Sequence, residues 1–190
     1  VQKAASGALP TGTSLEGVQF QVFNGSAQAV TVGGVSYAPA TAQSIADGSA
    51  KPVLTLTTDK NGHAATAKDA LPFGTYIVHE SYVPESTCTV STAHDQTVQV
   101  RATDTVTPCG SSFVNEVAKA GLSIQKLDTQ TADGSAQGSA TLAGARFEVR
   151  DASGGVVVTL TTDASGKYQT GPDALTLGTY TVTEATAPSG

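Results

Sequence analysis

The chain has 190 residues, a formal net charge of −6 and a pI near 4.8, which argues against nucleic acid or an anionic membrane surface as partner. Hydrophobic residues make up 39% of it, enough for one or two domains with real cores, and no apolar run is long enough to span a bilayer. Thr, Val, Ala and Gly dominate while Gly, Asp, Asn and Pro cluster at short intervals, the pattern of an all-β chain. No signal peptide, sorting signal or initiator methionine is seen, so a trimmed segment of a longer protein is expected.

Val1 and Lys3 open the chain in phase on one face of a strand. In LEGVQFQVFN, Val18, Phe20 and Val22 alternate with Gln19 and Gln21 to give one apolar face. Residues 25–51 read as an inserted hairpin, with AVTV and VSYA flanking a GG turn and Tyr37 as its only aromatic. TTDKNG is a turn in which Asp59 supplies acceptors and Gly62 a positive φ. It lacks the spaced carboxylates of a calcium loop. GTYIVHES then places Tyr76, Val78 and Glu80 on one face and His79 on the other.

Cys88 and Cys109 flank a polar, strand-like segment. They fit one structural disulfide of an exported protein better than a metal site, which wants further ligands; the other reading is two unrelated buried thiols. Such a disulfide would close a loop of about 20 residues and add roughly 3 kcal/mol. SSFVNEVAK follows, with Phe113, Asn115 and Val117 on one face and Val114 and Glu116 on the other.

The second half repeats the first. LEGVQFQVFN returns as LAGARFEVRD, VLTLTTDKNG as VVTLTTDASG, and KDALPFGTYIVHESYVP as PDALTLGTYTVTEATAP. A tandem of one domain type is expected, residues 1–119 with the insertion and residues 120–190 without it, joined near Ala118 to Gly121. In GLSIQKLD, Leu122, Ile124 and Lys126 share a face. In GTYTVTEA, Thr179, Thr181 and Thr183 form the wet face, leaving Tyr180, Val182 and Glu184 on the dry one.

Charged residues on apolar faces need a reason, because an isolated buried carboxylate costs several kcal/mol. Each one alone reads as a strand end, a snorkelling lysine or a shifted register. Together, an amine, a carboxyl and a carboxamide are the ingredients of an acyl transfer. Desolvation lowers the pKa of a lysine, leaving a neutral nucleophile, and raises that of a carboxylic acid. A protonated acid can polarise a carboxamide and shuttle protons to the departing ammonia. The product is a Lys–Asn isopeptide bond.

On LSIQKLD, LAGARFEV, TLTTDASG and GTYTVTEATAPSG, the chain resembles the collagen-adhesin B-type domains. These are the prealbumin-like, SpaA-type modules of Gram-positive pilins and surface proteins. The resemblance implies two tandem immunoglobulin-like or prealbumin-like β-sandwich domains, the second lacking its closing strand in this chain. It implies that Lys3 is the amine, Glu80 the catalytic acid and Asn115 the acceptor of the first copy, although HESYVP departs from the family pattern around Glu80. In the second copy Lys126 and Glu184 are the amine and the acid, with an acceptor expected beyond residue 190.

The function so implied is a stalk or pilus-shaft segment of a cell-surface or cell-wall protein. Its partners are neighbouring domains or subunits of a surface fibre. It has no cofactor, and its single self-crosslinking event does not make it an enzyme. The alternative is an adhesive module that binds a host protein or glycan through the insertion 25–51. A hydrolase using His63, His79 or His94 is disfavoured, since no nucleophile motif lies near any of them.

Overall fold

The computed structural model describes residues 1–92, 95–103 and 105–189. They form two compact units, Val1–Val117 and Ala118–Gly190.

The first unit contains strands β1 (Lys3–Ala5), β2 (Gln19–Asn24), β3 (Val30–Val32), β4 (Val35–Tyr37), β5 (Leu54–Thr57), β6 (Gly74–Tyr82), β7 (Thr89–Val90), β8 (Gln96–Val100) and β9 (Phe113–Val117). A four-stranded antiparallel sheet has the order β5-β2-β6-β8, and a three-stranded sheet the order β1-β9-β7. In the smaller sheet the first strand, β1, runs parallel to the last, β9, while β7 is antiparallel to β9. The predicted alternation is met: Val18, Phe20, Val22, Tyr76, Val78, Val98 and Phe113 are buried in one core. The rings of Phe20 and Phe113, one from each sheet, pack with centroids 4.7 Å apart. This is the sandwich expected from the sequence.

The insertion is held at its base by Asn24, a fully buried residue. Its Nδ2 donates to the carbonyls of Gln28 and Tyr37 at 2.8 and 3.0 Å, and its Oδ1 accepts from the Ser26 amide. Gly33 and Gly34, both at positive φ, turn β3 into β4 as the GG pair predicts. A short helix, α1 (Ala42–Ala46), stands where a plain loop was expected. Its start is capped by Thr41 and Ser44, whose side chains each accept from the other's amide. Tyr37 packs against the core and carries Lys51 Nζ 5.1 Å above its ring, so its role is in packing.

The second unit contains β10 (Lys119–Ala120), β11 (Ser123–Gln125), β12 (Arg146–Arg150), β13 (Val156–Thr161), β14 (Lys167–Gln169), β15 (Leu175–Thr176) and β16 (Thr181–Thr186). The order β13-β12-β16 reproduces β5-β2-β6, and β11 pairs with β14. Among the described residues no strand follows β16. The core is correspondingly small: Val149, Leu160 and Leu175 are buried, with Ile124, Phe147 and Tyr180 partly so.

The two units repeat their polar joints as well as their sequence. Thr58 is buried, donates to the Leu15 carbonyl at 2.6 Å and accepts from the Val18 amide at 3.0 Å. Thr162 does the same with Leu142 and Ala145, at the same distances. The lysine amides also match, Lys3 donating to Gly62 and Lys126 to Gly166, both at 2.7 Å.

Candidate functional site

Register brings the site together in the first unit. In the parallel pair of β1 and β9, Lys3 lies opposite Phe113 and Ala5 opposite Asn115. Lys3 and Asn115 therefore occupy one face of neighbouring strands, two positions out of step. Glu80 comes from the other sheet, where it pairs with Phe20 just past an irregularity in the β2–β6 register. All three are buried, with exposures of 1% for Lys3, 6% for Glu80 and 0% for Asn115.

Lys3 Nζ lies 2.8 Å from Glu80 Oε2, with both side chains sealed from solvent. The distance is that of an ion pair, but the approach angle leaves neither atom with a well-formed hydrogen bond. Burial holds the Lys3 amine below the usual lysine range, against the opposing pull of the Glu80 carboxylate. Asn115 is the more unusual member. Among the described residues neither its Oδ1 nor its Nδ2 has a hydrogen-bond partner, although both atoms are buried. A buried polar group left without a partner costs about 1–3 kcal/mol, so a carboxamide with both ends unpaired is an expensive feature to keep.

Sequence reasoning missed one contact. Ser91 Oγ donates to Glu80 Oε1 at 2.6 Å. Ser91 lies between strands, where no periodicity marks it, so only the folded chain brings it to the acid.

The site is thus an amine, a carboxyl and a carboxamide enclosed between two sheets, and the sequence profile of one family covers both halves of the chain. The SpaA prealbumin-like fold domain profile matches residues 9–108 and 121–190. The chain belongs to the SpaA prealbumin-like fold domain family. Glu80, Lys126 and Glu184 lie within the SpaA segments, while Lys3 and Asn115 flank the first. The fold is similar to that of the Bacillus anthracis TIE protein, at 22% identity and a TM-score of 0.54 over 100% of this chain and 28% of that one. A Streptococcal ancillary pilin matches at 26% identity and a TM-score of 0.36, over 93% of this chain and 50% of its own. The minor pilin GBS52 of Streptococcus agalactiae matches at 18% identity and a TM-score of 0.28, over 99% and 79%. Among curated proteins none matches.

In the second SpaA segment the equivalent pair is present but open. Lys126 Nζ lies 3.3 Å from Glu184 Oε2, with the side chains 27% and 31% exposed. This corrects the expectation that Glu184 points into a dry interior: β16 is exposed along its whole length, Val182 included. Alternation sets which residues share a face, but a face becomes dry only when another layer covers it.

The expected disulfide of the first unit is absent; Cys88 and Cys109 are free thiols. Cys88 precedes Thr89, which pairs with Val117, so it sits near the C-terminal end of β9. Cys109 lies on the chain leading into the opposite end and packs against the core. The strand between them spans about 13 Å, whereas a bridge needs Cα atoms within about 7 Å. Burial pushes the Cys109 thiol up, against the pull of the amino terminus.

Among the described residues the histidines form no catalytic group with a nucleophile. His79 Nδ1 contacts Asp95 Oδ1 at 2.7 Å on the outer face, and the His63 amide donates to Asp59 within its turn. His94 lies outside the described residues. No group of three or more metal-ligating side chains occurs among the described residues.

Proposed function

We propose that the first SpaA unit crosslinks itself, Lys3 Nζ attacking Asn115 Cγ with Glu80 as acid and proton shuttle. The observation that carries this reading is the enclosed trio with its unpaired carboxamide. As a permanent arrangement it is costly; as the starting state of a reaction it is productive. Burial favours the neutral amine that the attack requires. The reaction happens once per chain and needs no cofactor, which separates it from enzymatic turnover.

The bond would join the first strand of the unit to its last, so that a pull on the two ends passes through a covalent tie. Local opening at the ends, where proteases act, would be suppressed. Such a unit suits a stalk or pilus-shaft segment of an extracellular, cell-wall-attached protein, with neighbouring domains or subunits of a fibre as partners. The domain limits 1–119 and 120–190 belong to this reading, as does an acceptor for Lys126 supplied outside this chain.

The deciding experiment is the intact mass of the protein beside that of Glu80→Ala. A deficit of one ammonia that vanishes in the variant supports the Lys3–Asn115 bond. A mass equal to the plain sequence would leave Lys3 and Glu80 as a structural ion pair and favour the adhesive-module reading.

A further inference from the structure

The two oxygens of Glu80 face different partners. Oε2 faces Lys3, and Oε1 accepts the Ser91 hydroxyl at 2.6 Å. Ser91 belongs to the exposed segment after β7, whereas the Glu80 side chain is only 1% exposed. The next residue continues the pattern across the sandwich: Thr92 Oγ1 donates to the Val114 carbonyl at 2.6 Å. Val114 directly precedes Asn115 on β9. Two successive surface hydroxyls thus hold the acid on one sheet and the acceptor strand on the other.

We propose that Ser91 is a positioning residue for the Lys3–Asn115 crosslink, fixing the Glu80 carboxyl so that Oε2 is the oxygen that takes up and returns the proton. The inference rests on the crosslinking reading above. A carboxyl group can carry its proton on either oxygen. With Oε1 occupied as the acceptor of the Ser91 hydroxyl, Oε2 is left facing the amine as the oxygen that exchanges the proton. Without Ser91, Oε1 loses this partner, and the carboxyl can rotate to present either oxygen inward.

The reaction balances without a co-reactant. The neutral Lys3 amine forms the Nζ–Cγ bond and gives up one proton. The Cγ–Nδ2 bond of Asn115 breaks, and its nitrogen leaves as ammonia after gaining that proton by way of Oε2. Glu80 and Ser91 end as they began.

The test uses the whole chain, recovered unfolded before any crosslink forms and refolded by dilution. Samples are quenched in acid at intervals and weighed for the loss of ammonia, for wild type, Ser91→Ala and Ser91→Thr. Ser91 is exposed, so neither change opens a cavity, and the rates are taken well below the melting temperature of each variant. Ser91→Ala is expected to crosslink between about tenfold and a hundredfold more slowly, the scale of a misplaced catalytic group. Ser91→Thr keeps a hydroxyl and is expected to run close to wild type. An alanine variant at the wild-type rate, or a threonine variant as slow as alanine, would overturn the role of Ser91 and leave the crosslink standing. A wild type that keeps its ammonia would overturn both.

Discussion

A methyl group on Gly62 would lie 2.6 Å from the carbonyl oxygen of Lys3. The second unit repeats this relationship, with Gly166 and the Lys126 carbonyl at 2.5 Å. Both glycines have left-handed φ, of 73° and 75°, and both accept the amide of the lysine that they crowd. The turn therefore does more than reverse the chain. It sets the height of the strand that carries the lysine, and only a residue without Cβ allows that approach.

Gly62→Ala should destabilise the first unit by about 2 kcal/mol, from strained backbone and the forced retreat of β1. Calorimetry should show a lower melting temperature, and the intact mass should show a smaller crosslinked fraction. An unchanged melt would mean that β1 can shift without loss.

Lys3 should make an uncrosslinkable form of the protein sensitive to alkaline pH. Burial puts its folded pKa below the ordinary 10.5, so between those two values the unfolded chain holds more protons than the folded one. Stability contributed through Lys3 therefore rises with pH across that window, the burial penalty being complete below the folded pKa. Denaturant unfolding of Asn115→Ala, referenced to the same protein carrying Lys3→Met, isolates this term from other groups. The Lys3 form should gain on the Met form as pH approaches 10.5. A constant difference would mean that Lys3 keeps the same charge folded and unfolded.

The cysteines should behave as thiols. Titration of the denatured, unreduced protein should find both Cys88 and Cys109, and reductant should leave the intact mass unchanged. In the folded protein, Cys109 should alkylate at neutral pH more slowly than in the unfolded chain, since burial disfavours its thiolate. A mass increase on reduction would contradict the placement of the two residues at opposite ends of β9.

Strand phase was the readable part of this chain, and cover was not. The alternation through Val18, Phe20 and Val22, and through Tyr76, Val78 and Glu80, identified buried faces because both strands are central in their sheet and packed against a second layer. The same alternation failed at Glu184, whose phase is right but whose face lies open. The helix at Ala42–Ala46 was hidden because serine, not glutamate, completes its reciprocal cap. The cysteine pairing misled because spacing gives the contour length between two thiols and nothing about the path taken. Ser91 gave no sign at all, since a loop hydroxyl acquires meaning only from what the fold places beside it.

The parallel pairing of β1 and β9 has a consequence that precedes any covalent bond. The chain enters the first unit at the start of β1 and leaves at the end of β9, two points at opposite ends of a shared ladder. Stretching the unit between these points slides the strands along each other, loading the Gln2–Phe113 and Asn115–Ser6 hydrogen bonds simultaneously. An antiparallel arrangement would put both points at the same end and let the bonds tear in sequence, like a zip. The topology is therefore a shear clamp in its own right, and the lysine and the asparagine lie within the zone that carries the load.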